Sequence, residues 1–548
     1  MRSVRPTFLI LLLICSAYAQ HTSHQTKADP PKAIEGIIPG MGNLHHPVST
    51  KNPEAQKFFD QGLSFLYAFN HDESIRSFKR AAELDPQLAM AHWGIALALG
   101  PNINLDVDPE REQAAYNAVQ KALALSANAP ANERAYIAAL AKRYSNDPKA
   151  NLKKLAVDYK NAMGQMVQQY PKDLDAATLY AEAAMDLRPW QLWSLDGKPA
   201  EGTEEIITVL ESVLKRNPNH VGAIHYYIHA VEASPNPERA LVYAQRLGNL
   251  MPAAGHIVHM PAHIFERTGD FENSARSNEA AAAADRAYML MRGPEGLYPV
   301  MYYSHNLHFL AIAYGMQGRF NDAIKAARAL EDNVSPHLKE MPMLEGFMTV
   351  TPLLLVKFNR WADIQTLKEP DEAWTASRAI FHFARGVAFA KTGQFADAKR
   401  EYASLMEANN KVAPDAVIGL NTARQVLDIA ERVLEGRIAV ALSKPDEAEK
   451  IFAGAIAVED QLRYDEPKPW FAPVRETLGA TLLLNHNYAE AEKVFRADLE
   501  RNKGNGRSLF GLLEALKAQK KTAAMKVVKR QFDAAWKNSD TKLSIGDL

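Results

Sequence analysis

Cysteine is almost missing from this chain: there is one in 548 residues. No internal disulfide can form, and four-cysteine zinc or iron–sulfur clusters are excluded. An excess of one charge is missing too. With 63 Lys+Arg against 64 Asp+Glu the formal net charge is −1, and a nucleic-acid partner, which would need a basic surface, is not expected. No apolar run reaches the roughly 20 residues that a membrane span requires. Alternating β-branched segments are absent, so sheet is not expected. The phosphate-loop, dinucleotide-binding, nucleophile-elbow and H-E-x-x-H signatures do not occur. Apolar residues make up 47% of the chain, enough for a real core, and histidine is abundant at 17.

The first 19 residues read as a secretory signal. Arg2 and Arg5 precede the apolar run Phe8–Cys15, and Ala17-Tyr18-Ala19 forms a small-residue cleavage site. Cleavage near Ala19 gives an exported protein, periplasmic or secreted, that carries away its only cysteine with the signal. Residues 20–50, with Pro30, Pro31, Pro39, Gly40 and Gly42, form an extended leader.

Beyond residue 50 helical periodicity hardly stops, and it repeats. In Ala55–Leu88 the residues Gly62, Phe65, Ser74, Phe78, Ala81 and Pro86 fall at the small, aromatic and proline positions of a 34-residue helix–turn–helix unit. Gly269-Asp270-Phe271, Gly318-Arg319-Phe320 and Gly393-Gln394-Phe395 mark further helix-joining turns. Other units centre on Ala240, Ala448 and Ala491. This pattern resembles the tetratricopeptide repeat (TPR) superfamily. The resemblance implies an all-α fold: TPR-type helix–turn–helix repeats stacked into a right-handed superhelix with a concave groove. The expected organisation is a signal at 1–19, a leader at 20–50, an N-terminal unit with a following helix at 51–100 and a divergent helical insert at 101–202. Central histidine-rich units then cover 203–335, and C-terminal units cover 336–548. Within the insert, helices are predicted around 109–125, 130–144, 151–168 and 174–187, followed by an irregular loop over 188–202.

Seven histidines share one register. His225 and His229 are followed by His256, His259 and His263, and then by His305 and His308. His225 to His259 and His229 to His263 are each one 34-residue step. Spacings of three and four keep side chains on one helix face. The partner-facing positions are held instead by residues such as Ile224, Ile228, Val258 and Ala262. In TPR proteins the histidine stripe resembles the one that lines the ligand groove. Imidazole is a common metal ligand, and an i,i+4 pair is a two-toothed clamp. The cofactor expected is a transition-metal ion; Zn, Cu, Fe and Ni all accept such ligands. Glu232, a turn beyond His229, is a further ligand, an orienting group or a general base. Glu182, paired with Asp186, is a second acid of the same kind. Pro261 breaks an uninterrupted helix and would set His256 and His259 on the preceding turn. His71 reads as a solvated turn residue, His382 as core, and His45, His46 and His92 as residues that reach the groove if the leader folds back.

Three functions fit. One is an exported scaffold or binding protein with a histidine-lined metal site in its concave face. Another is a metal-dependent enzyme using the same cluster with Glu232 or Glu182 as base. The third is a metal-free adaptor that binds a peptide, protein or small molecule in the groove. Five segments, Asp186–Trp190 with Gly202–Ile206, Asn217–Leu241, His256–Phe271, Tyr464–Leu482 and Asn505–Ala518, further resemble a group of exported bacterial TPR-containing proteins of unsettled activity. Within them Tyr464–Arg475, with Pro467, Pro469 and Pro473, reads either as a loop that caps the groove or as a spacer packed by Trp470 and Phe471.

Overall fold

A computed structural model describes residues 34–548. The signal segment and the start of the leader lie outside the described residues. The fold is an all-α helical-repeat superhelix. Its only ladder among the described residues is the two-residue pairing of Val417–Ile418 with Asn421–Thr422.

The helices come as consecutive hairpins, and the first shows the local code. Asn52 caps Pro53–Tyr67 by accepting from the Glu54 and Ala55 N–H groups, with proline at the first helical position. Asn70 likewise caps His71–Leu84 through Glu73 N–H. The two helices approach closely because Gly62 has no side chain: a Cβ there would sit 2.7 Å from the Phe78 ring. Gly94, on the next helix Ala89–Leu99, lies against the same ring, where a Cβ would come within 2.6 Å. One phenylalanine thus wedges between two glycines of successive units. The device recurs near the other end, where Phe495 lies between Gly479 and Gly511.

The segment 101–202 is built from the same parts. Pro109–Leu125 pairs with Ala89–Leu99, Ala131–Leu140 with Leu152–Gln169, and Leu174–Met185 with Thr203–Arg216. The helices expected within 101–202 thus form, packed as hairpins with their neighbours. The described part of the leader is packed rather than loose. Ile34 and Met41 are buried, and Ala253 N–H donates to the Gly40 carbonyl at 3.1 Å.

Two large apolar cores form, one from residues 34 to about 302 and one from 271 onward. Ile257, Met260 and Ile264 belong to the first, Leu307 and Leu310 to the second. The histidine-rich helices therefore sit where the two cores meet.

Candidate metal centre

The first pair of rings stands on Val221–Val231, a helix buried along its whole length and apolar on all sides apart from its histidines. The next chain segment is split by Pro261 into Gly255–His259 and Pro261–Thr268, with Met260 between them in helical conformation. Proline is accepted there because the first position of a helix has no N–H to lose. His256 and His259 ride the first piece and His263 the second. The third segment enters through a π-helical stretch, Tyr298–Tyr303, and continues as Ser304–Met316, carrying His305 and His308. Asp285 of Phe271–Arg292 ties these segments together. It accepts from the Tyr298 hydroxyl at 3.0 Å and from Asn306, while that hydroxyl accepts from the His256 backbone N–H at 3.0 Å.

Six of the seven rings converge as two triads. His225, His229 and His256 offer ring nitrogens within 4.8 Å of one another, as do His259, His263 and His305. The Nε2 atoms of His225 and His256 are 3.1 Å apart, and those of His259 and His263 are 2.7 Å apart. His259 and His256 stack at 5.9 Å between centroids, so the triads adjoin.

Three of the outward nitrogens donate hydrogen bonds, while His256 Nδ1 has no partner. His225 Nδ1 donates at 2.6 Å to the carbonyl of Tyr67, one of the last carbonyls of its helix, which lack an intrahelical partner. His229 Nδ1 donates to Glu232 Oε1 at 2.7 Å. His259 Nδ1 donates to Asn278 Oδ1 at 2.6 Å, and the Asn278 amide is oriented by its own donation to Ser274 O. His263 Nδ1 faces Glu232 Oε2 at 2.6 Å and Glu466 Oε2 at 2.5 Å. A proton fixed on Nδ1 leaves Nε2 bare in a neutral imidazole. Three rings, those of His225, His229 and His259, therefore turn a bare Nε2 inward, and that of His229 has no partner at all. Outer acceptors that fix the tautomer in this way are what metal-ligating histidines have.

Tyr464–Arg475 closes over the second triad. The Tyr464 hydroxyl donates to Glu232 Oε2 at 3.0 Å and lies 3.3 Å from Glu466 Oε2. Arg267 sits over the Tyr464 ring at 5.6 Å while its guanidinium donates to the Glu232 and Ser234 carbonyls. Trp470 and Phe471 are buried beneath the loop. Both readings of this stretch therefore hold at once: it packs as a spacer and it caps the site. On the first triad the cover is Phe69, whose ring stacks on His229 and His256 and lies 4.5 Å from that of His225. Phe69 takes a left-handed φ of 54° at the turn after the first helix.

Burial sets the titration of this nest. It pushes His225, His256, His259 and His305 well below the ordinary histidine value, and neighbouring rings push the same way. His229 is lowered by burial, with Glu232 opposing. His263 goes the other way: burial lowers it, but Glu466 and Glu232 outweigh that and hold it at about 10. Glu232 is held well below the usual carboxylate range because His263 and His229 overcome its burial. Glu466 is pushed well above that range by burial and by Glu232.

Two expected site residues lie apart. His308 belongs to neither triad; its ring packs edge-on against Phe347 at 5.4 Å, and burial pushes it down to about 3. Glu182 is brought to Asp186 and Arg143, where burial and the Asp186 charge push its carboxyl well up. Three residues escaped the sequence reading. Asn278, Tyr464 and Glu466 carry no periodic signal that links them to histidines far away in sequence; only the singled-out Tyr464–Leu482 segment pointed toward the last two. Two other histidines differ from expectation, while His382 is buried as expected. His71 is buried, not solvated: its ring pairs with Asn102 at 3.2 Å, and burial drives it down to about 3. His46 folds back, but onto Asp175 at 2.8 Å rather than into the nest; with Asp173 it forms a further group of metal-ligand type.

No family model matches the chain, and no curated protein matches it. Among solved structures it is similar to a human IFIT1 dimer with m7Gppp-AAAA, at 13% identity over 89% of this chain and 91% of that one, with a TM-score of 0.33. Yeast Tom70 is similar at 11% identity over 88% and 90%, TM-score 0.29. The P58(IPK) TPR domain is similar at 14% over 85% and 99%, TM-score 0.23. Values this low add nothing to what the helices themselves establish. Among the described residues no helix is long and apolar enough to cross a membrane.

Proposed function

We propose that this chain is an exported helical-repeat binding protein that holds transition-metal ions in its central repeats, one ion in each histidine triad. The observation that carries the reading is the inward set of bare Nε2 atoms on His225, His229 and His259, each fixed by an outer acceptor on Nδ1. Five buried imidazoles, with the half-buried His305 beside them, are costly at one junction without something to bind. A divalent ion at the roughly 2.0–2.1 Å distance of metal–imidazole bonds would turn the facing lone pairs into bonds. All-imidazole triads suit Zn, Cu, Fe or Ni and leave a coordination position open on each ion.

The test is metal analysis of the full chain, purified without a polyhistidine tag. About two equivalents of transition metal should be retained, and added metal should raise the melting temperature, as binding to the native state requires. His225→Ala should remove one equivalent and His259→Ala the other. Retention below about a tenth of an equivalent, with no thermal shift, would end the proposal.

A second reading, a metal-dependent enzyme on the same ligands, draws support from the cap. Glu232 is engaged by both His229 and His263, so it orients rings. Glu466 and Tyr464, at the edge of the second triad, are the groups placed to move a proton beside an open coordination position.

A further inference from the structure

The Tyr464–Arg475 loop does more than cover the second triad: it roofs a cavity of about 640 Å³, its open mouth included, that begins at His263 and runs outward. One wall is apolar, made by Phe271, Phe309, Met316 and Phe471. The other carries polar groups. Trp470 is 2% exposed, and its indole N–H has no partner. Lys468 is exposed at the rim; its ammonium reaches only neutral oxygens, Asn502 Oδ1 at 2.5 Å and the Arg501 carbonyl at 3.4 Å. Glu266 Oε2 is likewise unpartnered.

We infer that this cavity binds a small organic acid, with an apolar body against the phenylalanine wall and a carboxylate received by the Trp470 indole N–H and the Lys468 ammonium. A buried indole N–H can only donate, so whatever meets it must accept. The cations Lys468, Arg267 and Arg501 line the space, and Arg267 too is held by neutral carbonyls. Burial pushes the Glu266 carboxyl up to about 7, so near neutrality it can supply a third donor rather than a repelling charge. Asp465 is turned away, accepting from Leu420 N–H, Asn421 and Glu466 N–H. A ligand that accepts from several donors and is otherwise apolar fits this wall; an amine does not. The inference needs no metal.

Benzoate is the probe, with benzylamine as the cation of the same shape, titrated calorimetrically into the full chain as purified and again after EDTA treatment. Benzoate should bind saturably at one site per chain in both preparations, at least about tenfold more tightly than benzylamine, as charge-assisted hydrogen bonds require. Trp470→Phe removes the donor together with part of a buried ring and should also lower the melting temperature, whereas Lys468→Met changes an exposed side chain. Each should weaken benzoate about tenfold, Lys468→Met at an unchanged melting temperature. Absence of saturable binding, equal affinity for benzylamine, or affinity that survives Lys468→Met would overturn the proposal. So would binding that EDTA abolishes and neither variant alters, since the carboxylate would then sit on a metal instead.

Discussion

The protonation of His263 makes a quantitative claim on metal binding. Two carboxylates, Glu466 and Glu232, hold this ring as an imidazolium with a value of about 10. An ion that takes its Nε2 must displace that proton. At pH 7 the neutral ring is about a thousandfold scarcer than the charged one, a handicap of about 4 kcal/mol at 1.36 kcal/mol per decade. Affinity at the second triad should therefore rise about tenfold per pH unit between pH 6 and 9, and binding at pH 7 should release about one proton. Calorimetry in buffers of different ionisation enthalpy counts that proton directly. Glu232→Gln removes the carboxylate that keeps its charge beside the ring, so it should flatten the slope and lower the proton count. Without metal the same ring contributes stability in the opposite sense. Its folded value lies above the unfolded one of about 6.5, so the contribution is full below that pH and lost as pH rises through about 10. A proton count near zero at pH 7, or an affinity flat across this range, would refute the assignment of His263 as both imidazolium and ligand.

Other consequences are separable. Asn278→Ala removes the acceptor that fixes the His259 tautomer and should weaken metal binding at the second triad by about 10–100-fold, leaving the first unchanged, as metal titration would record. Phe495→Ala empties the wedge between Gly479 and Gly511 and should cost about 3–5 kcal/mol in urea unfolding, with metal stoichiometry preserved in the native baseline. His71, held neutral at about 3 by burial, contributes stability that is full above the unfolded value of about 6.5 and lost as pH falls toward 3. His71→Gln should remove part of the acid sensitivity, up to about 3 kcal/mol at pH 4, in unfolding curves compared at pH 4 and 7.

The repeat and the histidine register were legible because both are local. Glycine and phenylalanine at fixed offsets place Gly62 against Phe78, and the helical period alone puts His225 and His229, or His259 and His263, on one stripe. The sequence also pointed to Pro261 as a break, which appears as two short helices that still deliver His256, His259 and His263. Local rules failed where a position looked exposed by register alone. His71, read as a solvated turn residue, instead opens the helix His71–Leu84, and Asn102 covers it.

Tertiary structure alone divided the seven histidines into two triads and an outlier. How three segments pack decides which rings meet, and His308 turns to Phe347 although its spacing matches its neighbours. It also brought Glu466 and Tyr464 to Glu232 across more than two hundred residues, and Tyr67 to His225 from the first repeat. Helical periodicity is encoded in steps of three and four, within reach of one turn. Which carboxylate or carbonyl completes a buried imidazole depends on how the stacked hairpins wind back past one another, a property of the whole array that no single window of residues contains.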